Sequence, residues 1–321
     1  MVSCALVLSE ADLGSDAQCH AAKLLEVMLI ECKGRIDHYL RPFTELILAR
    51  LTQEMETTEL RTMCLQVLIA GLYYNTKLMF ETLQSLQPAE SQQGILQHFV
   101  QQWLSDAHCF IGVHDRKLCV IGLCILLQER PTGLSGEVLM QILPSLLLLA
   151  DGLTKAYATQ AEMKNKAEDD SDEDEEEEED ADDGLASDED EINEVTLDCL
   201  EKMSKDIDSG NDDGSESTAS DEEEEAYLDA YETSLDAEDS PLDEFILFKD
   251  TIMQLKQRQE EYFHLLTEKL SPEQKNQLQQ LFVLADQRKA ARESKAIQQS
   301  GGYSFNQVQV PSAFNFGAPN F

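Results

Sequence analysis

Apolar residues between positions 16 and 160 recur at the spacing of amphipathic helices, one stretch after another. The first stretch repeats at i, i+3, i+4 and i+7 on one helical face, with Ala21, Leu24, Leu25, Met28, Leu29 and Cys32. Similar patterns predict further helices that begin near residues 37, 60, 78, 95, 116 and 136. Gly34 follows the first helix, where a residue free to adopt positive φ is favoured. The pattern predicts an all-α domain.

Three of these helices resemble one another in sequence. The similar stretches are Lys23–Ile30, Met63–Ala70 and Leu118–Ile125, which begin 40 and 55 residues apart. A repeat of about 40–47 residues is typical of the paired helices in HEAT and armadillo solenoids. A stretch rich in Gln and Ser at residues 87–94 lengthens the second interval. Ordinary helical bundles give similar patterns, so the spacing favours a solenoid without excluding a bundle.

The helical pattern stops near residue 160, and residues 161–240 carry most of the charge of the chain. This segment holds 37 Asp and Glu residues against four Lys, a net charge of −33 out of −39 for all 321 residues. Its few apolar residues bury too little surface to offset the entropy lost on ordering. We therefore predict a long disordered acidic loop that attracts strongly basic partners.

Helical spacing returns after the acidic loop. Ser240 and Pro241 are a candidate N-cap and first helical position, and Ser271 with Gln274 matches a capping box. Three helices are too few to fold alone, so we expect them to pack on the N-terminal helices. The predicted domains are helical repeats, an acidic loop, terminal helices and a flexible tail rich in Gly, Asn, Gln and Phe, over residues 1–160, 161–240, 241–299 and 300–321.

The cysteine and histidine pattern admits a structural and a metal-binding interpretation. None of the eight cysteines forms a Cys-x-x-Cys pair, and six lie among apolar residues, where a free Cys packs as a small core residue. This usage suits a reducing compartment. The candidate metal ligands are His108, Cys109, His114, Cys119 and Cys124. Their spacing matches no standard zinc site, so core packing is favoured and no metal or cofactor is predicted.

The sequence carries no signature of an enzyme. A Gly-rich phosphate loop and a nucleophile elbow are both missing, so no catalytic residue is predicted. His114 and Asp115 are adjacent in a helix and do not face each other, and Asp115 suits a helix start. The net charge of −39 repels nucleic acid. The longest apolar run, Val138–Ala150, is interrupted and shorter than a membrane helix, and no signal peptide is predicted because no basic region precedes an apolar stretch at the N-terminus.

Seven stretches, in the same order along the chain, resemble the importin-7 and importin-8 type of nuclear transport receptor. They are Cys19–Val27, Leu60–Val67, Leu72–Asn75, His114–Lys117, Leu284–Arg288, Gly301–Tyr303 and Phe314–Gly317. The similarity runs from about Cys19 to the end of the chain, and an acidic loop occupies the same place in the family. Several long stretches in one order are more specific than any single motif.

The resemblance implies an all-α HEAT-repeat (armadillo-like) α-solenoid of the importin-β superfamily. Receptors of this superfamily shuttle between cytoplasm and nucleus, contact nucleoporins, and release cargo when the GTP form of the small GTPase Ran binds. Family chains are much longer, and this chain is similar to their C-terminal portion, without the N-terminal repeats that make the main Ran contacts. The alternative function is a non-transporting acidic scaffold that binds basic proteins in the manner of a histone chaperone.

Three sets of functional residues are expected. The acidic loop would bind basic cargo of the histone or ribosomal-protein type through Asp172, Glu173, Asp174, Glu175, Glu176, Glu177, Glu178, Glu179, Asp180, Asp221, Glu222, Glu223, Glu224 and Glu225. The tail resembles the Phe-x-Phe-Gly repeats of nucleoporins and would bind importin-β through Phe314, Phe316 and Gly317. Serines with an acidic residue three positions later are candidate phosphorylation sites, namely Ser171, Ser187 and Ser220.

Overall fold

The computed structural model describes residues 2–9, 14–55, 57–87, 94–173, 233–237 and 240–299. Within these ranges the chain forms eleven α-helices, a 3-10 turn at Ala107–Cys109 and no β-strand. The helices are α1 Val2–Ser9, α2 Ser15–Glu31, α3 Asp37–Leu51, α4 Thr58–Tyr74, α5 Thr76–Leu86, α6 Ile95–Ser105, α7 Val113–Glu129, α8 Gly136–Glu173, α9 Glu244–Arg258, α10 Glu260–Thr267 and α11 Pro272–Gln299. The all-α prediction is confirmed.

The helix ends follow from local hydrogen bonding. Gly34 adopts φ +77° three residues after α2, as the sequence predicts. The capping box at the start of α11 is also present, since the Ser271 hydroxyl accepts from Gln274 N at 3.1 Å and the Gln274 side chain accepts from Ser271 N at 3.0 Å. The predicted cap of α9 is wrong. Asp243, three residues after Ser240, accepts hydrogen bonds from the first backbone amides of that helix.

Five helices pack one after another in a row: α2 contacts α4, α4 contacts α7, α7 contacts α9, and α9 contacts α11. Helices α1, α3, α5 and α6 form a second layer over the first part of this row, because α3 packs on α4 and on α5, and α5 packs on α4 and on α6. This paired-helix arrangement is that of an α-solenoid, in which each pair covers the apolar face of the next.

Position in the row decides which helices are amphipathic. Helices α4 and α7 have neighbours on several sides and are buried almost all round, with 13 and 12 buried residues. The tightest approach is at Gly122 of α7, where a Cβ atom would lie 2.6 Å from Ile69 Cγ2 and 2.8 Å from the Trp103 ring. Glycine is therefore required for α7 to pack against α4 and α6.

The apolar face predicted for α2 is wrong at one residue. Leu24 is 50% exposed, whereas Lys23 and Glu26 are buried and pair with Asp115 and His114 of α7. Apolar spacing predicted the helix correctly, but the buried face contains charged residues that have partners elsewhere in the fold.

Helix α8 contains a long apolar stretch. Gly136–Ala161 is long and apolar enough to span a membrane by length and composition, with a mean hydropathy of 1.4. Three of its leucines, Leu143, Leu146 and Leu147, are fully buried within the helical domain, whereas Leu148 is 51% exposed. The helix continues through Pro144 without interruption.

Contacts divide the chain into two units. The first comprises Met1–Thr154 together with Glu232–Phe321, and the second comprises Lys155–Tyr231. Helix α8 begins in the first unit and ends in the second. The chain that follows the second unit rejoins the solenoid at α7, since α9 packs on α7.

Candidate functional site at the end of the acidic segment

The structure describes only the beginning of the predicted cargo-binding run. Asp172 and Glu173 lie in the last turn of α8, together with the candidate phosphorylation site Ser171. The remaining predicted sites lie outside the described residues, namely Asp174, Glu175, Glu176, Glu177, Glu178, Glu179, Asp180, Ser187, Ser220, Asp221, Glu222, Glu223, Glu224, Glu225, Phe314, Phe316 and Gly317.

Residues 233–237, here called the return segment, form a hydrogen-bonded turn at the end of the acidic segment. The carboxylate of Asp236 organises this turn: its Oδ2 accepts from Thr233 N at 2.9 Å and from Thr233 Oγ1 at 2.8 Å. In return, Asp236 N donates to Thr233 O at 2.9 Å. These reciprocal bonds fix a compact turn with one acidic side chain pointing at the solenoid.

The return segment is attached to α2 and α7 by contacts of three kinds. Leu235 is 2% exposed and supplies the apolar contact. Its carbonyl oxygen accepts a hydrogen bond from Lys117 Nζ, and Ser234 N donates to Glu31 Oε1 at 2.6 Å. Asp236 Oδ2 lies 2.6 Å from His114 Nδ1. The return segment is therefore held to α2 and α7 by an apolar contact, by two hydrogen bonds to its backbone and by an ion pair.

His114 connects the return segment to the interior of the solenoid. Its second ring nitrogen, Nε2, lies 2.5 Å from Glu26 Oε1, and both side chains are buried. Burial alone would lower the pKa of His114, but the charge of Glu26 and hydrogen bonds with Asp236 and Glu26 raise it to about 10. The imidazolium in turn holds the pKa of Asp236 at about 2, against the effect of burial. The imidazolium is thus a cation shared by two carboxylates.

Further ion pairs lie on both sides of His114. Lys23 Nζ lies 3.3 Å from Glu26 Oε2 and 3.8 Å from Asp115 Oδ1. Burial raises the pKa of Asp115, although Lys23 and the His114 charge oppose that shift. On the other side, Lys117 Nζ lies 3.7 Å from Glu244 Oε2.

Arg288 extends this network to the last helix. Its Nε lies 2.7 Å from Asp243 Oδ2, and its Nη2 lies 3.4 Å from Glu244 Oε1. Alternating charges therefore link α2, α7, the return segment, α9 and α11. Buried ion pairs add little net stability but penalise any arrangement that separates them, so we interpret the network as fixing how these five elements meet.

Sequence reasoning missed this network. It assigned Asp115 to a helix start, and Asp115 is indeed in the first turn of α7. The available signal was the charged pair Lys23 and Glu26 within an apolar stretch, because charges in a buried helical face require partners. Their partners, His114 and Asp115, lie 88 and 92 positions later in the sequence, and local patterns do not reveal them.

Two of the candidate metal ligands are neighbours in the 3-10 turn, where His108 Nε2 lies 3.4 Å from Cys109 Sγ, and the other three have different partners. Trp103 Nε1 donates to Cys119 Sγ at 3.3 Å, Cys124 is buried near Thr251, and His114 is occupied by its two carboxylates. Among the described residues, no group of three His, Cys, Asp or Glu side chains is arranged to hold a metal ion. Burial raises the pKa of the Cys124 thiol to about 12, which is typical of an unreactive core cysteine.

An apolar groove lies on the outer layer of the solenoid, away from the network. It has a volume of about 410 Å³ and is formed by α3, α4, α5 and α6. Its apolar lining is Leu48, Leu51, Leu65, Leu86, Ile95 and Phe99. Arg61 stands at its edge and is paired with Asp106 at 2.7 Å.

Comparison with known proteins identifies the repeat type. Residues 9–203 match the family described as "Importin-11-like, TPR repeats". HEAT repeats were expected from the sequence, whereas the family description names TPR repeats. Both build solenoids from paired helices, and the predicted solenoid class is confirmed. No solved structure matches the chain.

Curated relatives cover the chain more completely than the family does. Human importin-8 is 41% identical over 312 residues, which is 95% of this chain and 29% of importin-8. Danio rerio importin-8 is 39% identical, over 89% of this chain and 28% of its own length. The importin beta-like SAD2 homolog of Arabidopsis thaliana is 31% identical, over 78% of this chain and 24% of its own length.

The chain spans less than a third of the length of these curated relatives. The resemblance to the importin-7 and importin-8 type is confirmed by the importin-8 matches. Because the family match extends over more than half of the sequence, the chain belongs to the importin family, in the group described as importin-11-like with TPR repeats.

Proposed function

We propose that this chain is the part of a nuclear transport receptor that captures basic protein cargo with its acidic segment. The single observation that carries the proposal is the attachment of the return segment to α2 and α7 by His114, Lys117 and Glu31. That attachment holds one end of a segment with a net charge of −33 at a fixed point on the solenoid.

Fixed attachment changes what an acidic segment does. A free acidic tail attracts cations anywhere around the protein, whereas a segment held at its end concentrates negative charge over one region of the solenoid. Lys- and Arg-rich segments of histone or ribosomal-protein type would be attracted over long range without a fixed geometry. Such binding weakens steeply as salt is added.

The test is a titration of a basic histone-tail peptide against the chain and against a variant lacking residues 169–225. A matched control replaces every Asp and Glu between residues 169 and 225 by Asn or Gln, which keeps the length and polarity and removes the negative charge. We expect the deletion and the amide variant to weaken binding equally, and the intact chain to lose affinity as salt rises. Equal affinity of all three proteins at low salt would overturn the proposal.

Transport by the full receptor is proposed from the importin-8 relatives. It predicts shuttling between cytoplasm and nucleus, contact with nucleoporins, and release of cargo by the GTP form of Ran. The alternative is an acidic scaffold that binds basic proteins without transporting them. Import of a labelled basic cargo into permeabilised cells distinguishes the two, because only a transporter moves the cargo into nuclei in a Ran-dependent manner.

A second binding function is proposed for the tail. The sequence Phe314-Asn-Phe-Gly317 resembles the Phe-x-Phe-Gly repeats of nucleoporins, and aromatic side chains on a short motif fill pockets between solenoid helices. Importin-β is the expected partner. Replacing Phe314 and Phe316 by Ser should reduce capture of the chain by immobilised importin-β, whereas replacing Phe305 by Ser should have little effect. Unchanged capture by the double variant would contradict this function.

A further inference from the structure

The hydroxyl of Thr233 forms two hydrogen bonds within the return segment. Thr233 Oγ1 donates to Asp236 Oδ2 at 2.8 Å and accepts from Leu235 N at 3.3 Å. The same Asp236 oxygen lies 2.6 Å from His114 Nδ1. Thr233 is only 6% exposed. One hydroxyl group therefore orients the carboxylate that connects the acidic segment to His114.

The sequence around Thr233 matches the preference of kinases that recognise acidic residues. Asp236 stands three positions after Thr233, as the acidic residues do in the serine sites predicted above. Glu232 precedes it directly, and Glu238 and Asp239 follow. In the folded chain Asp236 binds Thr233 and His114. In a released segment the same carboxylate could bind a basic subsite of a kinase.

We propose that Thr233 is a phosphorylation site and that its modification releases the return segment from the solenoid. An acid-directed Ser/Thr protein kinase and ATP are the co-reactants. The Thr233 oxygen forms a bond to the γ-phosphorus of ATP, the bond from that phosphorus to the β–γ bridging oxygen breaks, ADP leaves, and the hydroxyl proton passes to the kinase base. The product carries close to two negative charges on Thr233 at neutral pH.

Phosphorylation and attachment exclude each other for two reasons. The phosphate replaces a hydroxyl that donates to Asp236 and sets a dianion against that carboxylate, in a place where little solvent screens the repulsion. The phosphate is also too large for a side chain that is 6% exposed. Binding of the kinase requires the released segment, so the modification traps a state that opens transiently.

Release would change how the acidic segment is held. The next attachment after residue 237 is Ser240, whose carbonyl oxygen accepts a hydrogen bond from Arg292, followed by Asp243, which caps α9 and pairs with Arg288. The tether point would therefore move from Thr233 to Ser240, and the acidic segment would gain about seven residues of reach. His114 would at the same time lose its contact with Asp236. This inference does not depend on the identity of the cargo.

The experiment treats the full chain with an acid-directed kinase and ATP and measures phosphate on each residue by mass spectrometry. Ser220, which has Glu223 three positions later, is the internal control for kinase activity. We expect phosphate on Thr233 to appear slowly in the intact chain, and roughly tenfold faster or more in Leu235→Ala, which weakens the attachment. Thr233→Val should accept no phosphate there, and Thr233→Ser should restore it.

Hydrogen exchange then measures release. In the phosphorylated chain the amides of residues 233–237 should exchange at the rate of a free peptide, while the amides of α3 and α5 keep their protection. Phosphate absent from Thr233 of Leu235→Ala while Ser220 is modified would overturn the proposal. So would phosphate on Thr233 with unchanged exchange, or a loss of protection throughout the helices, which would indicate general unfolding.

Discussion

Asp236 and His114 are 122 positions apart in the sequence, and Asp236 Oδ2 lies 2.6 Å from His114 Nδ1. His114 also lies 2.5 Å from Glu26, a further 88 positions toward the N-terminus. A single imidazolium thus joins the first part of the solenoid to the end of the acidic segment.

Replacing His114 by Gln should destabilise the first unit strongly. The substitution leaves the buried Glu26 and the partly buried Asp236 without their shared cation, and removal of one partner of a buried ion pair costs about 3–5 kcal/mol. Urea unfolding followed by circular dichroism measures the change. His264→Gln is the matched control, because His264 pairs with Glu260 only on the exposed surface and its loss should change stability little. Equal stability of the two variants would contradict the role assigned to His114.

Stability should depend on pH through the same residue. The pKa of His114 is raised from 6.5 to about 10 in the folded protein, so its contribution is complete below about pH 6.5 and is lost as pH rises through 10. The pKa of Asp236 is lowered from 3.8 to about 2, so its contribution is present above about pH 3.8 and is lost as pH falls through 2. The pair should therefore stabilise the fold most between about pH 4 and 6.5.

Unfolding free energies measured from pH 6 to 10 check this expectation. The wild-type chain should lose stability progressively over that range, and His114→Gln should lose much less. Parallel profiles for the two proteins would show that another group causes the dependence.

Adding a methyl group at Gly122 should destabilise the solenoid. The new Cβ of Gly122→Ala would lie 2.6 Å from Ile69 and 2.8 Å from Trp103, and overpacking of a filled core costs about 1–3 kcal/mol. Gly136→Ala is the control, since nothing lies within 4 Å of a Cβ at the first residue of α8. Thermal unfolding should show a lower Tm for the first variant and an unchanged or higher Tm for the second.

Loss of the capping box should loosen the start of α11. Ser271→Ala removes the hydroxyl that accepts from Gln274 N, and loss of an N-cap costs about 1 kcal/mol. Hydrogen exchange of the first turn of α11 measures the effect locally. Ser294→Ala, on the exposed surface of the same helix, should leave that exchange unchanged. The interpretation fails if both substitutions act alike.

Helix α1 was not predicted, but the helices from α2 onward could be predicted from the sequence because their signals are local. Apolar spacing, Gly34 and the Ser271–Gln274 pair each depend on residues within a few positions of one another. The orientation of α2 could not be predicted in the same way. Leu24 points outward because Lys23 and Glu26 point inward, and those two charges are satisfied by His114 and Asp115 of a distant helix.

The attachment of the acidic segment could not be predicted from the sequence, for a different reason. Charge alone indicates where the acidic segment lies in the sequence. Its attachment depends on Leu235 and Asp236, which no sequence pattern distinguishes from the residues around them. Leu235 and Asp236 became recognisable only through the buried positions of His114 and Lys117. The N-cap of α9 was misplaced for a related reason. Ser240 and Asp243 both precede an apolar run, and the ion pair that Asp243 forms with the distant Arg288 is not visible in the local sequence.

The 122-residue separation between His114 and Asp236 has a consequence for synthesis on the ribosome. At about 5–20 residues per second, Asp236 is made roughly 6–24 seconds after His114. During that interval Glu26 and His114 can already meet, but the face of α7 that receives the return segment and α9 stays uncovered. The nascent solenoid therefore passes through an incompletely folded state that exposes an apolar and charged surface. Chaperones would act at this stage.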